Sequence, residues 1–271
     1  MHLSLQDRPP EAQALRVLQA SLDAGVTLID TANVYCLDQH DIGHNERLVA
    51  RALASWRGRR ERVLVATKGG LTRPGGRWER DGRPASLARA CEASLAALGV
   101  ERIDLYQLHA PDPAVPFAES IGALAELARR GKIRWVGLSN VSVGQIREAQ
   151  GMVPIVTVQN RLSPFFREAI AEGVVEYCGR HGIGFLAYSP TGGGRLNRKL
   201  PEHPVLRAMA GELGFSAHAL VLAWVRAQGP TVIPIPSART EAHAVDAARA
   251  GDITLADRDL LRITEAEFSR A

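Results

Sequence analysis

Ile103-Asp104-Leu105-Tyr106-Gln107-Leu108-His109 and, further along, Gly131-Lys132-Ile133-Arg134-Trp135-Val136-Gly137-Leu138-Ser139-Asn140 are the two stretches on which the fold turns. Each is a short run of apolar and β-branched residues that ends on a polar one. Between them, residues 117–130 carry apolar side chains at helical spacing and stop at Gly131, where a left-handed residue closes a helix. Strand, helix, strand in this order is one βαβ unit of a parallel sheet.

The same alternation runs outward in both directions. Strands are expected at residues 26–30, 62–67, 103–109, 134–138, 155–159, 184–188 and 231–235. Helices are expected at 11–24, 45–56, 84–98, 117–130, 167–181, 205–213, 217–227 and 256–268. Near-continuous apolar strands are what a parallel sheet covered on both faces requires. No polar linker or change of composition divides the chain, so residues 1–271 are expected to form a single domain. That length is close to one α/β barrel, roughly 250 residues.

Composition narrows the function classes. Apolar residues make up 46% of the chain, enough for a large core, and no apolar run of about 18 residues suggests a membrane span. The first ten residues, MHLSLQDRPP, lack the apolar segment of a secretory signal. Cys36, Cys91 and Cys178 are too widely spaced for a disulfide framework or a metal set, which fits a reducing, cytoplasmic setting. The net charge of +4 comes mostly from arginine, since Lys68, Lys132 and Lys199 are the only lysines. The cluster Arg57-Gly58-Arg59-Arg60-Glu61-Arg62 is short and contains an acid. It reads as a solvated helix end rather than a nucleic-acid patch.

Polar residues gather at the C-terminal ends of successive strands: Asp30, Lys68, His109, Ser139-Asn140, Gln159, Tyr188-Ser189 and Ser237. In a barrel these ends converge on the face where active sites are built. Taken singly, Asp30 also reads as a helix cap and Tyr35 as a packed loop aromatic. Lys68 and His109 are poor caps, and an unpaired buried lysine is costly. Asp30, Tyr35, Lys68 and His109 together suit carbonyl reduction. The phenol of Tyr35 can donate a proton, Lys68 beside it is expected to lower the phenol pKa, Asp30 would hold Lys68, and His109 would orient the carbonyl.

At these residues the chain resembles the aldo-keto reductases. Asp30-Thr31-Ala32-Asn33-Val34-Tyr35, Ala66-Thr67-Lys68, Asp104 to His109, Gly131 to Asn140, Gln159-Asn160, Tyr188-Ser189-Pro190 and Ile233-Pro234 follow the family's order across nearly the whole chain. The resemblance implies an α/β TIM (β/α)8 barrel and a catalytic tetrad of Asp30, Tyr35, Lys68 and His109. It implies a small aldehyde or ketone as substrate and NADPH, or else NADH, as cofactor. Ser139, Asn140 and Gln159 would hold the nicotinamide carboxamide and Tyr188 would stack on its ring. Ser189, Pro190 and Gly192 in the triplet Gly192-Gly193-Gly194 would cover the pyrophosphate. Ser237 and Arg239 belong to the turn after the last strand, with Arg239 the partner for a 2′-phosphate.

Three departures from the family pattern stand out. Ser237 occupies a position often held by glycine. His243, Asp246 and Ala247 replace the residues that commonly grip the adenosine. Only seven strands are countable; Met1-His2-Leu3 resembles the end of the family's first strand, so the natural chain is expected to start about 15–30 residues upstream, the space one strand and its lead-in need. A catalytically silent, cofactor-binding regulatory subunit is the alternative expectation. A metal-dependent hydrolase finds no His-x-His or carboxylate cluster.

Overall fold

The computed structural model describes all 271 residues. Its strands are β1 (Leu28–Asp30), β2 (Leu64–Gly69), β3 (Leu71–Thr72), β4 (Glu79–Arg80), β5 (Ile103–Leu108), β6 (Ile133–Ser139), β7 (Ile155–Arg161), β8 (Gly184–Tyr188) and β9 (Val232–Pro234). The helices are α1 (Glu11–Asp23), α2 (His44–Ser55), α3 (Pro84–Leu98), α4 (Phe117–Arg129), α5 (Val143–Gln150) and α6 (Glu168–Ala171). They continue with α7 (Val174–Arg180), α8 (Gly194–Asn197), α9 (Pro204–Leu213), α10 (Ala217–Arg226), α11 (Glu241–Arg249) and α12 (Asp257–Glu265).

Seven strands form one parallel sheet in the order β1-β2-β5-β6-β7-β8-β9, with helices between them. This is the curved sheet of a TIM-type α/β fold, with β1 and β9 as its edges. Pro234 sits in an edge strand, where its missing N–H costs least. Residues 1–10 run as turns rather than a strand. Leu3 packs on Ala14, Val17, Leu48 and Ala244, while Asn45 Nδ2 donates to Ser4 Oγ at 2.7 Å. No single helix is long and apolar enough to cross a membrane.

The period of two along a strand sends alternate residues to opposite faces. Val65, Tyr106, Leu108, Val136, Leu138, Val158 and Phe185 meet the helices in the main core. On the other face Ala66, Leu105 and Leu186 form a separate apolar layer with Leu28, Trp135 and Ile235. Two residues further along the same strands stand Asp30, Lys68 and Gln107. The interior is therefore apolar below and polar at the C-terminal end. Gly137 makes the fit possible: a Cβ there would lie 2.3 Å from Thr157 Oγ1 and 2.9 Å from Gln107 Cγ.

Several sequence expectations need correction. The helix expected at 167–181 is two pieces, α6 and α7, because Gly173 takes a φ of 74° between them. Lys68 lies inside β2 and not beyond its end. The β3–β4 hairpin was not anticipated, since strands of two residues carry no periodicity. Helix α5 was also missed. It buries only Ile146 and Ala149, and a reciprocal capping box between Ser142 and Gln145 starts it. Helix α11 buries only Ala244, too little for an amphipathic signal.

Candidate active site

Lys68 organises the polar end of the barrel. Its ammonium is fully buried and donates to Asp30 Oδ2 at 2.5 Å, to the Thr31 carbonyl at 2.8 Å and to Tyr35 Oη at 3.0 Å. All three ammonium protons are thereby spent. Because Tyr35 accepts from Lys68, its own phenol proton stays free for another partner. Asp30 Oδ1 in turn accepts from Gln159 Nε2 at 2.8 Å and from Gln107 Nε2 at 3.2 Å. The carboxylate thus accepts hydrogen bonds from three strands, β2, β5 and β7.

Tyr35 reaches the lysine because β1 ends in a tight loop. Its amide donates to the Ala32 carbonyl, and Ala32, Val34 and Tyr35 pack on Ile42 and Leu71. The His109 ring stands edge-on to Tyr35, centroids 5.8 Å apart. Its Nδ1 is buried and has no hydrogen-bond partner.

Burial sets the electrostatics. It raises the Tyr35 pKa above the ordinary phenol value, and the Lys68 charge only partly opposes it. This reverses the expected lowering: desolvation of a phenolate outweighs one ammonium whose charge is already matched by Asp30. For Lys68, burial pulls the pKa down, yet Asp30 and Tyr35 more than offset it, so the ammonium persists. Burial, helped by Lys68, pushes His109 well below the usual imidazole range and keeps it neutral.

The other expected site residues fall into two groups. Asn140 Nδ2 donates to the His109 carbonyl at 2.9 Å and to Ser139 Oγ at 3.0 Å, and Tyr188 Oη donates to Asn140 Oδ1 at 2.8 Å. Ser139, Asn140, Gln159 and Tyr188 are therefore joined to the Asp30, Tyr35, Lys68 and His109 cluster through hydrogen bonds and ring contacts. Ser189, Pro190, Gly192, Ser237 and Arg239 lie outside that network. Gly192 closes a turn on the Ser189 carbonyl, and Ser237 is exposed after β9. Exposed Arg239 donates through Nη2 to the Asp7 carbonyl. Asn140 and Ser189 have φ of 59° and 49°, a left-handed strain that gathers at functional positions.

Sequence reasoning missed Gln107, whose only signal was a polar residue within an apolar strand. It also missed Arg73. That side chain is 7% exposed and sits with its Cζ 4.1 Å from the Trp78 ring.

The family model described as "Aldo/keto reductase family" matches residues 1–267. An uncharacterized oxidoreductase of Schizosaccharomyces pombe is 33% identical over 261 residues, 96% of this chain and 81% of its own length. The glycerol dehydrogenase of Gluconobacter oxydans has a similar structure, with a TM-score of 0.82 and 31% identity over 95% of this chain and 86% of that one. An aldo/keto reductase from Klebsiella pneumoniae, solved with NADP and acetate, has a TM-score of 0.78 and 30% identity, covering 94% of this chain and 85% of its own. With sequence, fold and strand-end chemistry in agreement over nearly its full length, this chain belongs to the aldo/keto reductase family and is an NAD(P)H-dependent oxidoreductase.

Proposed function

We propose that the protein reduces an aldehyde or ketone to the alcohol, with NADPH as the preferred cofactor and Tyr35 as the proton donor. One observation carries this reading. Lys68 donates to the phenol oxygen, so the phenol proton points elsewhere, while the raised pKa keeps that proton in place at neutral pH. Neutral His109, its ring edge-on to Tyr35 with centroids 5.8 Å apart, suits a role in orienting the carbonyl oxygen. Asp30 holds Lys68 charged, and the ammonium stabilises the phenolate left after proton transfer.

The polar groups fit a nicotinamide. Its carboxamide needs both a donor and an acceptor, and the Ser139 hydroxyl and Gln159 Oε1 can supply them from adjacent strand ends. Asn140, whose amide is tied to the His109 carbonyl, Ser139 and Tyr188, would have to exchange one of those bonds for the ligand. Strained Asn140 and Ser189, and the half-exposed Tyr188 ring, stand where such a group would be held. When bound, the cofactor supplies the hydride.

The NADP complex of the Klebsiella pneumoniae relative and the exposed guanidinium of Arg239 support NADPH over NADH. Arg239→Ala is expected to weaken NADPH by about 1.5–3 kcal/mol, the scale of a charged hydrogen bond, and to leave NADH almost unchanged. Fluorescence titration with both cofactors measures this; equal losses would remove Arg239 as the reader of the 2′-phosphate. The function itself is tested by following NADPH absorbance over a panel of aldehydes and ketones. If no carbonyl in the panel consumes cofactor, the reading is wrong.

A further inference from the structure

Three rings surround the place where a carbonyl must sit to touch both Tyr35 and His109. The Tyr35 and His109 rings are edge-on at 80°. Trp78 stands edge-on to each of them at 72°, with both centroid separations 6.3 Å. Trp78 is nevertheless 46% exposed, so it presents uncovered apolar surface beside the reacting centre. A flat substituent on the carbonyl would cover that surface; a short alkyl chain would not.

Trp78 belongs to the β3–β4 hairpin, whose two-residue strands are too short to hold an exposed indole rigidly on their own. Arg73 supplies what the hairpin lacks. Its guanidinium lies against the indole, and its Nη2 donates to the carbonyls of Cys36 and Leu37 at 3.2 and 3.0 Å. Those carbonyls follow Tyr35 directly in the chain. The guanidinium thus ties the hairpin to the loop that carries the phenol. Arg73 Nε and Nη1 are buried without partners, a cost that needs a reason, and the indole contact is the task this side chain visibly performs. A cavity of about 270 Å³, lined in part by Asn33, Ile42, Leu71, Arg73 and Ser86, adjoins it. Removing the Arg73 side chain would widen that space and leave the indole without backing.

We propose that Arg73 is a positioning residue: it fixes Trp78 as the third wall of the carbonyl pocket and so makes the enzyme prefer aryl and other flat conjugated carbonyls over short aliphatic ones. The proposal rests on the reading of Tyr35 and His109 as the carbonyl site.

Full-length protein with NADPH is assayed on benzaldehyde and propanal. Arg73→Ala is expected to raise KM for benzaldehyde about tenfold with kcat changed less than about twofold, the mark of lost uniform binding. KM for propanal should move less than about twofold, since that chain has little indole to touch. Arg73→Lys keeps the charge but not the flat stack, so an intermediate KM is expected. Arg73→Ala added to Trp78→Ala should contribute nothing further, as two parts of one unit do. Acrylamide quenching gives a readout apart from turnover: it should rise in Arg73→Ala but not when the same change is made in a Trp78→Phe background. Equal KM increases for both aldehydes, multiplicative effects in the double variant, or unchanged quenching would each overturn the proposal. If the unsubstituted protein consumes NADPH with neither aldehyde, the reductase reading falls and the substrate preference falls with it. The quenching comparison still judges the Arg73–Trp78 contact by itself.

Discussion

Tyr35→Phe is expected to lower kcat by about 10² or more, the usual contribution of a positioned general acid, while NADPH affinity stays within about twofold, because the role proposed for the lost hydroxyl is at the carbonyl rather than on the dinucleotide. The phenol oxygen accepts one of three ammonium hydrogen bonds from Lys68. Its removal leaves a buried donor unpaired, so stability should also fall by about 1–3 kcal/mol. The pH profile provides a second check. In the proposed role reduction needs the protonated phenol, whose pKa burial has raised. For the unsubstituted enzyme, kcat should therefore hold through neutral pH and decline only above the ordinary tyrosine value of about 10. His109 is held neutral by burial, so no acid limb is expected at the ordinary imidazole value of about 6.5. Steady-state turnover beside a fluorescence titration decides the matter. Near-normal turnover in Tyr35→Phe would remove it from the mechanism.

The largest stability effect is expected from Asp30→Ala. Lys68 is fully buried and Asp30 is its one charged partner within salt-bridge distance. Removing one side of such a pair strands a charge, which costs about 3–5 kcal/mol. The pH dependence should also change sign. In the unsubstituted protein Lys68 has a raised pKa, so its contribution is complete below the unfolded lysine value of about 10.4 and is lost as pH rises through the folded value. In Asp30→Ala the pairing is gone and burial remains, which drops the folded pKa below the unfolded one. The unfolded chain then binds more protons, and stability rises with pH through that window. Denaturant unfolding at a series of pH values from neutral to about 9, below the ordinary phenol value, compares the two slopes. A loss below about 1 kcal/mol, well under the cost of a stranded charge, would show that Lys68 does not depend on Asp30, as would parallel slopes.

Much of this was readable from residue order, because the signals are local. Short β-branched runs alternating with amphipathic stretches specify parallel βα units wherever they occur, and all seven strands of the main sheet lie within a few residues of the expected places. Strand-end polar residues were visible for the same reason: a lysine inside 62–69 or a histidine after 103–108 breaks an apolar pattern. Weak local signals failed. The two-residue strands of the hairpin and the sparsely buried α5 and α11 lack enough turns or alternations to stand out, and Gly173 broke a helix that periodicity alone would continue.

Sequence by itself determined the family, the parallel α/β architecture and the kinds of side chain gathered at the strand ends. Tertiary structure alone decided how they act on one another. Gln107 and Gln159 both donate to Asp30 across 77 and 129 residues of chain, a convergence that curvature and stagger of the sheet create and no local pattern encodes. Arg73 reaches the carbonyls of Cys36 and Leu37 only because the hairpin folds over the loop after Tyr35. The direction of the Tyr35 pKa was beyond the sequence for a related reason. A neighbouring lysine can be guessed from a motif, but the desolvation that outweighs it depends on every atom excluding water from the phenol, and that exists only once the folded strand ends and loops pack around it.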